Sequence, residues 1–284
     1  MTFFHRHRWA APLALLAPGV LWLAIFFVVP FGYLGYQSLQ SGIYPGFELT
    51  WEFSNFSDAI SENRDQLIRS FWYAGLATLI ALAFSYPLAY WIAFRAGRWK
   101  NVFLVLVIAP FFVTYLIRTI AWQTILSDDG FVLDVLKTVG LVADDGRLLA
   151  TSTAVVAGIT YNYLPFMVLP IYVSLEQIDR RLLEASGDLY ASPSQGFLRV
   201  TLPMSLPGVF AGTLLTFIPA AGDFINAELL GGPGQRMIGN VIQSKFLVSL
   251  DYPTAAALSL ILMALILVVV VVYARAVGSE RLTT

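Results

Sequence analysis

The chain has no cysteine, only two histidines and few charges: Asp, Glu, Lys and Arg together make up 12% of its 284 residues. Without cysteine there is no disulfide framework and no thiolate to serve as nucleophile or metal ligand. His5 and His7 both lie in the N-terminal tail beside Arg6 and Arg8, a pattern that reads as a basic tail at a membrane surface and not as a metal site. A phosphate-binding loop is missing, since Gly231-Gly232-Pro233-Gly234-Gln235-Arg236 lacks the closing Gly-Lys-Ser/Thr. Asp128-Asp129-Gly130 begins like a calcium loop, but the later ligand positions do not follow. Clustered His, Cys or paired carboxylates are absent from the apolar segments, which disfavours an intramembrane enzyme. The expectation is a chain with no catalytic residues, no metal and no cofactor of its own, and no nucleic-acid partner.

What the chain has in abundance is apolar length. It is 58% hydrophobic with a mean hydropathy of +0.72, whereas ordinary soluble domains carry about 25% charged residues. A hydrocarbon core of ~30 Å needs about 20 apolar residues of helix. Six segments reach that length: 13–36, 71–94, 102–126, 153–173, 206–227 and 255–274. They must be helical, because lipid offers no partner to backbone N–H and C=O groups. A β-barrel is excluded by the lack of period-two alternation. The first segment is too long for a signal-peptide core and lacks a small-x-small cleavage site, so it is expected to be retained. The fold class is therefore all-α, a polytopic membrane protein organised as one transmembrane domain over 1–284. Pro30, Pro87, Pro110, Pro165, Pro170 and Pro219 are expected to interrupt these helices, which implies a packed bundle whose neighbours satisfy the freed carbonyls.

Charge sorting sets the expected orientation. With the N-terminus in the cytoplasm, Arg6, Arg8, Arg95, Arg98, Lys100, Arg180, Arg181, Arg199, Arg275 and Arg281 fall inside, ten of the seventeen bases. Only Glu176, Asp179, Glu184, Asp188 and Glu280 of the eighteen acids join them. Residues 95–100, with three bases and no acid, decide the matter. Both termini and the loop 174–205 are expected in the cytoplasm. Residues 40–70, 127–152 and 228–254 are expected outside, holding short helices and no further domain.

The polar loop 174–205 is the most informative segment. Leu182, Leu183, Ser186, Leu189 and Tyr190 recur at helical spacing on one apolar or small face, with Arg180, Glu184 and Asp188 opposite. Taken alone, such a helix either lies on lipid headgroups or docks a soluble partner. The sequence Glu184-Ala185-Ser186, then Tyr190 four residues on, then Val200-Thr201-Leu202-Pro203, resembles the cytoplasmic-loop signature of ABC-importer permeases. In that signature Tyr190 stands where the family has Gly, and Ser186 and Val200 replace Ala and Ile. Ser192-Pro193 is expected to supply the turn that the missing Gly would make. Ser205-Leu206-Pro207-Gly208, Gly231-Gly232 and Ile238-Gly239-Asn240-Val241-Ile242 extend the resemblance to the spermidine/putrescine-type permeases, their B-type subunit in particular.

The resemblance implies a six-helix type I ABC-importer permease in the plasma (inner) membrane of a prokaryote. It implies a homologous second permease, two ATP-binding subunits that use Mg-ATP, and an extracytoplasmic substrate-binding protein as partners. Leu182, Leu183, Glu184, Ala185, Ser186, Asp188, Leu189 and Tyr190 would then couple to the ATPase. Ionisable groups inside the bilayer mark pathways or fixed pairs. Arg118, expected in the third helix, and Asp223, in the fifth, either pair with one another or face the route of a cation. Asn226 and Glu228 would assist Asp223, while Trp122, Tyr115, Tyr161 or Tyr163 could offer cation–π faces. Polyamines are the expected substrate. Rival readings are the same architecture carrying an opine, an amino acid derivative, thiamine or ferric iron, and, from another class, an autonomous secondary transporter or channel.

Overall fold

The computed structural model describes residues 10–140, 142–143 and 145–278. The basic tail with His5 and His7, and Glu280 and Arg281 at the other end, lie outside the described residues. Helix α1 (Ala10–Leu23) passes through a π-helical turn, Ala24–Val28, into α2 (Val29–Ser38). A two-rung antiparallel ladder joins β1 (Gln40–Ser41) to β2 (Glu48–Leu49). Then come α3 (Ser54–Glu62), α4 (Arg64–Phe94), α5 (Lys100–Ile108), α6 (Tyr115–Ile125), α7 (Phe131–Thr138) and α8 (Ser152–Glu176). The chain ends with α9 (Arg180–Asp188), α10 (Pro193–Gly196), α11 (Leu202–Ala221), α12 (Ile225–Leu230), α13 (Ile238–Leu247) and α14 (Tyr252–Gly278).

Among the described residues, five helical stretches are long and apolar enough to cross a membrane: Leu15–Ser38, Arg64–Phe94, Ser152–Glu176, Pro193–Ala221 and Tyr252–Ala276. Gly97–Phe112 and Tyr115–Ile125 meet at 95° and make a sixth, broken span when the pair is counted as one. This corrects the continuous third helix expected over 102–126. Hydropathy sees composition and not the backbone. Pro110 sits in a 3-10 turn over Ala109–Phe112, and Val113 and Thr114 are extended. Proline removes a donor and crowds the preceding turn, so a helix stops there unless tertiary packing carries it through. Packing does carry it through elsewhere: Pro87, Pro165, Pro170 and Pro219 lie inside continuous helices, and do not interrupt them as expected. The fifth span also differs. It begins earlier, at Pro193, runs through a π-helical turn at Phe197–Thr201, and ends at Ala221. Asp223 therefore lies in a break between α11 and α12 and not within a helix.

The chain divides into two compact units. One comprises the residues up to Glu62 and Ile242–Ala264. Here Asn55 Nδ2 donates to the carbonyls of Ser38 and Gln40 at 3.0 and 2.8 Å, fastening α3 to the end of α2. Tyr44, Phe47 and Phe246 ring Tyr252 at centroid distances of 5.9, 5.6 and 5.0 Å.

The other unit comprises Asn63–Val241 and the chain from Leu265. Its centre is a three-helix pack of α4, α8 and α11. The buried face of α4 is almost entirely small, with Ala74, Ala77, Thr78, Ala81, Ser85 and Ala89 at three- and four-residue steps. Helix α11 answers with Ser205, Gly208, Gly212, Thr216 and Ala220, and α8 fills the space between with Ile159, Met167, Ile171 and Leu175. In lipid the hydrophobic effect does not drive helices together, so close backbone approach and interhelical hydrogen bonds carry the association. Tyr73 Oη bonds Ser152 Oγ at 2.6 Å, and Tyr86 Oη bonds Ser205 Oγ at 2.8 Å. In the loop before α8, Asp128 pairs with Arg147, whose hydrogen bond holds the carboxyl below the usual carboxylate range. Asp128 is thus engaged by a base and does not begin a calcium loop.

Of the two glycines on α11 that face α8, Gly208 lies closer to it than Gly212. A Cβ on Gly208 would meet the carbonyl of Pro170 and lie 2.5 Å from Ser174 Oγ. Backbone cannot yield as a flexible side-chain tip can, so Gly208→Leu should force α8 and α11 apart and destabilise the unit by about 1–3 kcal/mol. Thermal unfolding of the purified protein in detergent measures it; an unchanged midpoint would contradict the close packing.

Candidate functional site

Two features stand out from the apolar body: the exposed helix α9, and a buried polar cluster where two helix breaks meet.

Helix α9 starts at Asp179, whose Oδ1 accepts from the N–H of Arg181 at 2.9 Å, an N-cap bond. Its end is closed by two backbone bonds, Tyr190 N–H to Gly187 O at 2.9 Å and Ala191 N–H to Ser186 O at 3.0 Å. This is the Schellman arrangement, which places the residue after the cap in the left-handed region. That residue is Tyr190, at φ +58°. The turn is therefore made at Tyr190 itself, where the resembling family carries Gly. Ser192-Pro193 does not replace it, as expected from sequence, but opens α10 through a capping box with Gln195.

The expected single apolar face on α9 is divided. Leu183 and Ser186 are half-buried, with Ser186 so close to Gly196 that a Cβ there would lie 3.2 Å from its Oγ. Leu182, Glu184, Ala185, Asp188, Leu189 and Tyr190 face outward, and Tyr190 is 97% exposed. Ser186 meets Gly196 of α10, Leu183 stands one turn before it on the same side, and Leu189 and Tyr190 follow the last helical turn. The side chain of Arg180 lies outside what the structure describes.

The buried cluster assembles α6, α8 and α12. Asp223, 5% exposed, follows the end of α11. Its Oδ1 accepts from the backbone N–H of Asn226 at 2.9 Å, and its Oδ2 from Asn226 Nδ2 at 2.8 Å. The hydroxyl of Tyr115, first residue after the α5–α6 break, also donates to Oδ2. Asn226 continues the network: its Oδ1 accepts from Asn162 Nδ2 at 3.2 Å and from Thr119 Oγ1 at 3.4 Å. Gly158 makes room for it, since a Cβ there would lie 2.7 Å from Asn226 Oδ1. On the other side, Asn240 Nδ2 donates to Phe224 O at 2.9 Å, and a Cβ on Gly239 would come within 2.6 Å of Gly222 O. Both breaks are thus closed by protein groups, as non-helical backbone at membrane depth requires.

Arg118 is 9% exposed, and its Nε and Nη1 have no hydrogen-bond partner. Its guanidinium carbon lies over the rings of Phe111 and Tyr115 at 5.2 and 5.7 Å from the centroids. Among the described residues the ion pairs are Lys100–Glu176, Arg147–Asp128 and Lys245–Asp251. Arg118 and Asp223 are therefore unpaired here, though Tyr115 touches both.

Of the residues expected along a pathway, the structure gathers Asp223, Asn226 and, through Tyr115, Arg118. It does not bring Trp122, Tyr161 or Glu228 to them. Trp122 and Tyr161 meet edge-on at 5.4 Å in the wall of a separate groove of about 820 Å³, with Trp72 and Tyr73 of α4. The two cases differ: Tyr161 is one residue from Asn162 on α8 and so points about 100° away round the helix, whereas Trp122, four residues past Arg118, stays on roughly the same face of α6 but stands a full turn further along it. Glu228 is exposed and accepts from Asn240 Nδ2 at 3.0 Å. Thr119 and Asn162 belong to the cluster and were missed. An asparagine inside an apolar run is the signal that would have found Asn162, had neutral amides been weighed with the ionisable residues.

These features, spans interrupted at a polar centre and an exposed helix between two spans, define a membrane transport subunit. The family profile of the binding-protein-dependent transport system inner membrane component matches residues 85–278, and the chain belongs to that family. The spermidine/putrescine transport system permease protein PotB of Haemophilus influenzae is 37% identical over 262 residues, covering 92% of this chain and 88% of that one. PotB of Escherichia coli is 39% identical over 210 residues, 74% of this chain and 76% of that one. The inner membrane ABC transporter permease protein YdcU of Escherichia coli is 31% identical, covering 93% and 88%. Among solved structures, a chain of a bacterial alginate ABC transporter, crystallised with its periplasmic protein bound to an alginate pentasaccharide, superposes with a TM-score of 0.75. It is 21% identical and covers 100% of this chain and 99% of that one. A chain of the MetNI methionine ABC transporter, in an inward-facing conformation, gives 0.58 at 15% identity, covering 75% and 93%. The fold is that of ABC-importer permeases, and the chain is a transport component of the inner membrane, not an enzyme.

The left-handed Tyr190 yields a test of the α9 geometry. An L-residue there is strained by about 1–2 kcal/mol, more than the roughly 0.5–1 kcal/mol that glycine loses through backbone entropy. Tyr190→Gly should therefore leave the purified subunit as stable or stabilise it by up to about 1 kcal/mol, whereas Tyr190→Val should lower its thermal midpoint. Equal destabilisation by both would argue against a left-handed residue at this turn.

Proposed function

We propose that this chain forms half of the substrate pathway of an ATP-driven importer for polyamines. The observation that carries the substrate class is Asp223, a carboxylate buried at a helix break and held by neutral donors. Burial of a charge is tolerated where hydrogen bonds support it, and such a carboxylate remains available to a cation. The names of the PotB relatives agree with that chemistry.

The partners follow from the permease architecture: a homologous second permease completing the pathway, two ATP-binding subunits below, and an extracytoplasmic binding protein that delivers substrate. Mg-ATP belongs to the ATP-binding subunits. Helix α9 is the coupling element of this reading. Its outward Leu182, Ala185, Leu189 and Tyr190 supply an apolar surface for a groove in the motor, flanked by Glu184 and Asp188 as charged contacts. Membership of an inward-coupled loop requires both termini in the cytoplasm, which the bases Arg95, Arg98 and Lys100 support. Closure of the motor around ATP would move α9, open the pathway outward and let the binding protein release substrate; hydrolysis would reset it.

Two outcomes test this reading. In proteoliposomes holding the whole transporter, Asp223→Asn should reduce spermidine uptake at least about tenfold while assembly is unchanged, the loss of one charge-assisted contact being worth about 1.5–3 kcal/mol. Full uptake would remove Asp223 from the pathway. Because the chain has no native cysteine, a cysteine at Ser194 should react with an impermeant thiol reagent from the cytoplasmic side alone, and become protected when ATP-binding subunits are present. One at Asp129 should react from outside. The reverse labelling would overturn the orientation and the docking role together.

A further inference from the structure

We propose that Arg118 is a tethered counter-cation for Asp223, occupying the carboxylate when substrate is absent and yielding it to a substrate ammonium group. The inference rests on the cationic-substrate reading above and names a residue that controls binding and release at that same site.

It starts from an imbalance. A guanidinium cannot shed its proton in a protein, so Arg118 carries its charge wherever it lies. It is nine-tenths buried, yet Nε and Nη1 meet no acceptor. Two aromatic faces, Phe111 and Tyr115, hold it in place of a counter-ion. Stacking of this kind is a weak substitute for a hydrogen-bonded carboxylate. Asp223 has the opposite lack: the side-chain and backbone donors that reach it, from Tyr115 and Asn226, carry no charge. The two unbalanced charges flank one residue, Tyr115, whose ring lies beneath the cation and whose hydroxyl reaches the anion.

Position makes an exchange feasible. Arg118 stands one turn after Tyr115 on α6, which is joined to α5 through the extended Val113 and Thr114 at a 95° bend. A long side chain next to such a joint can change partner through its own rotamers, without rebuilding the helix. The structure presents the separated arrangement, with the carboxylate buried and held by neutral donors. In the paired arrangement Arg118 would exclude inorganic cations from the same carboxylate and drive a bound ammonium group off it. A buried carboxylate without such a competitor would bind a polyamine well and release it slowly.

Kinetics and stability test this in the whole transporter. Replacing the competitor, Arg118→Met should lower the KM for spermidine about tenfold and lower kcat by a similar factor, whereas Arg118→Lys should keep both within about twofold. An unchanged or raised KM in Arg118→Met would overturn the proposal. Independently, thermal midpoints of wild type, Arg118→Met, Asp223→Asn and the double variant form a cycle, measured nucleotide-free and trapped with vanadate, without substrate. Non-additivity in at least one state, abolished by saturating spermidine, is expected; additivity in both would refute the pairing. If Arg118→Met fails to assemble, rescue by adding Asp223→Asn supports the pairing and lack of rescue opposes it. A wild-type transporter that carries no polyamine would remove the substrate reading, and the cycle without substrate would still answer for Arg118 and Asp223.

Discussion

The structure depends on one constraint: inside a bilayer no water arrives to satisfy a backbone group released from a helix. A continuous span meets it through its own ladder, but a broken span must find partners in the protein. Two breaks occur, one at Val113 and Thr114 and one at residues 222–224. The second is closed by side chains, Asn240 donating to Phe224 O and Asp223 accepting from the N–H of Asn226, and the two breaks are tied to one another. Tyr115, directly after the first, donates to Asp223 in the second, while Asn226 caps and clasps Asp223 from the start of α12. Asn162, from the unbroken α8 between them, donates to Asn226 and to Thr119 at 3.2 Å each.

The polar cluster is therefore both a seal and a site. Its neutral members hydrogen-bond to one another and to Asp223, which fixes the geometry of the breaks and leaves Asn162 Oδ1 alone among their amide groups without a partner. Its charged members, Arg118 and Asp223, have no charged partner among the described residues, and this unbalanced charge is where function can enter. A fully balanced cluster would be rigid and inert, as satisfied polar networks are. The tightly packed α4, α8 and α11 behind it give the cluster a firm wall, because small residues at Gly208 and Gly212 bring backbone against backbone.

Much of the fold could be read from the chain. Apolar runs marked the spans, since helical length in lipid is set by membrane thickness. The bend in the third span was hidden because hydropathy is blind to direction: Pro110 breaks its helix while Pro165 and Pro170 are carried through α8, and packing alone separates the cases. Asp223 and Arg118 were legible, for a charge in an apolar run is conspicuous. Trp122 and Tyr161 line a groove apart from the Asp223 cluster, which the sequence did not reveal, because hydropathy says nothing of the neighbours an aromatic meets. At Tyr190 the chain follows the backbone geometry of the resembling signature without its glycine. The local sequence pointed to Ser192-Pro193, and only the two closing backbone bonds reveal that the left-handed residue stayed in place.

The end of the molecule that carries α9 ties these parts together. Glu176 is the last residue of α8, and Gln177, Ile178 and Asp179 lead from it directly into α9. Its carboxylate pairs with Lys100, the first residue of α5, which also lies over the ring of Tyr172 at 5.4 Å. Exposed ion pairs of this type contribute little to stability, about 0–1 kcal/mol, so its interest is positional. Helix α5 runs from Lys100 to the break at Val113, and beyond the break stand Tyr115 and Arg118. A displacement of α9 by a docked motor would thus reach the Asp223 cluster by two routes, along α8 to Asn162 and along α5 to the bend. Because Asn162 and Tyr115 grip the same α12 network from different sides, unequal movement of the two helices would shear the cluster and not merely translate it. Shear is the motion that could exchange partners between a parked guanidinium and a carboxylate, which is why the bend in the third span matters more to the proposed mechanism than the number of spans.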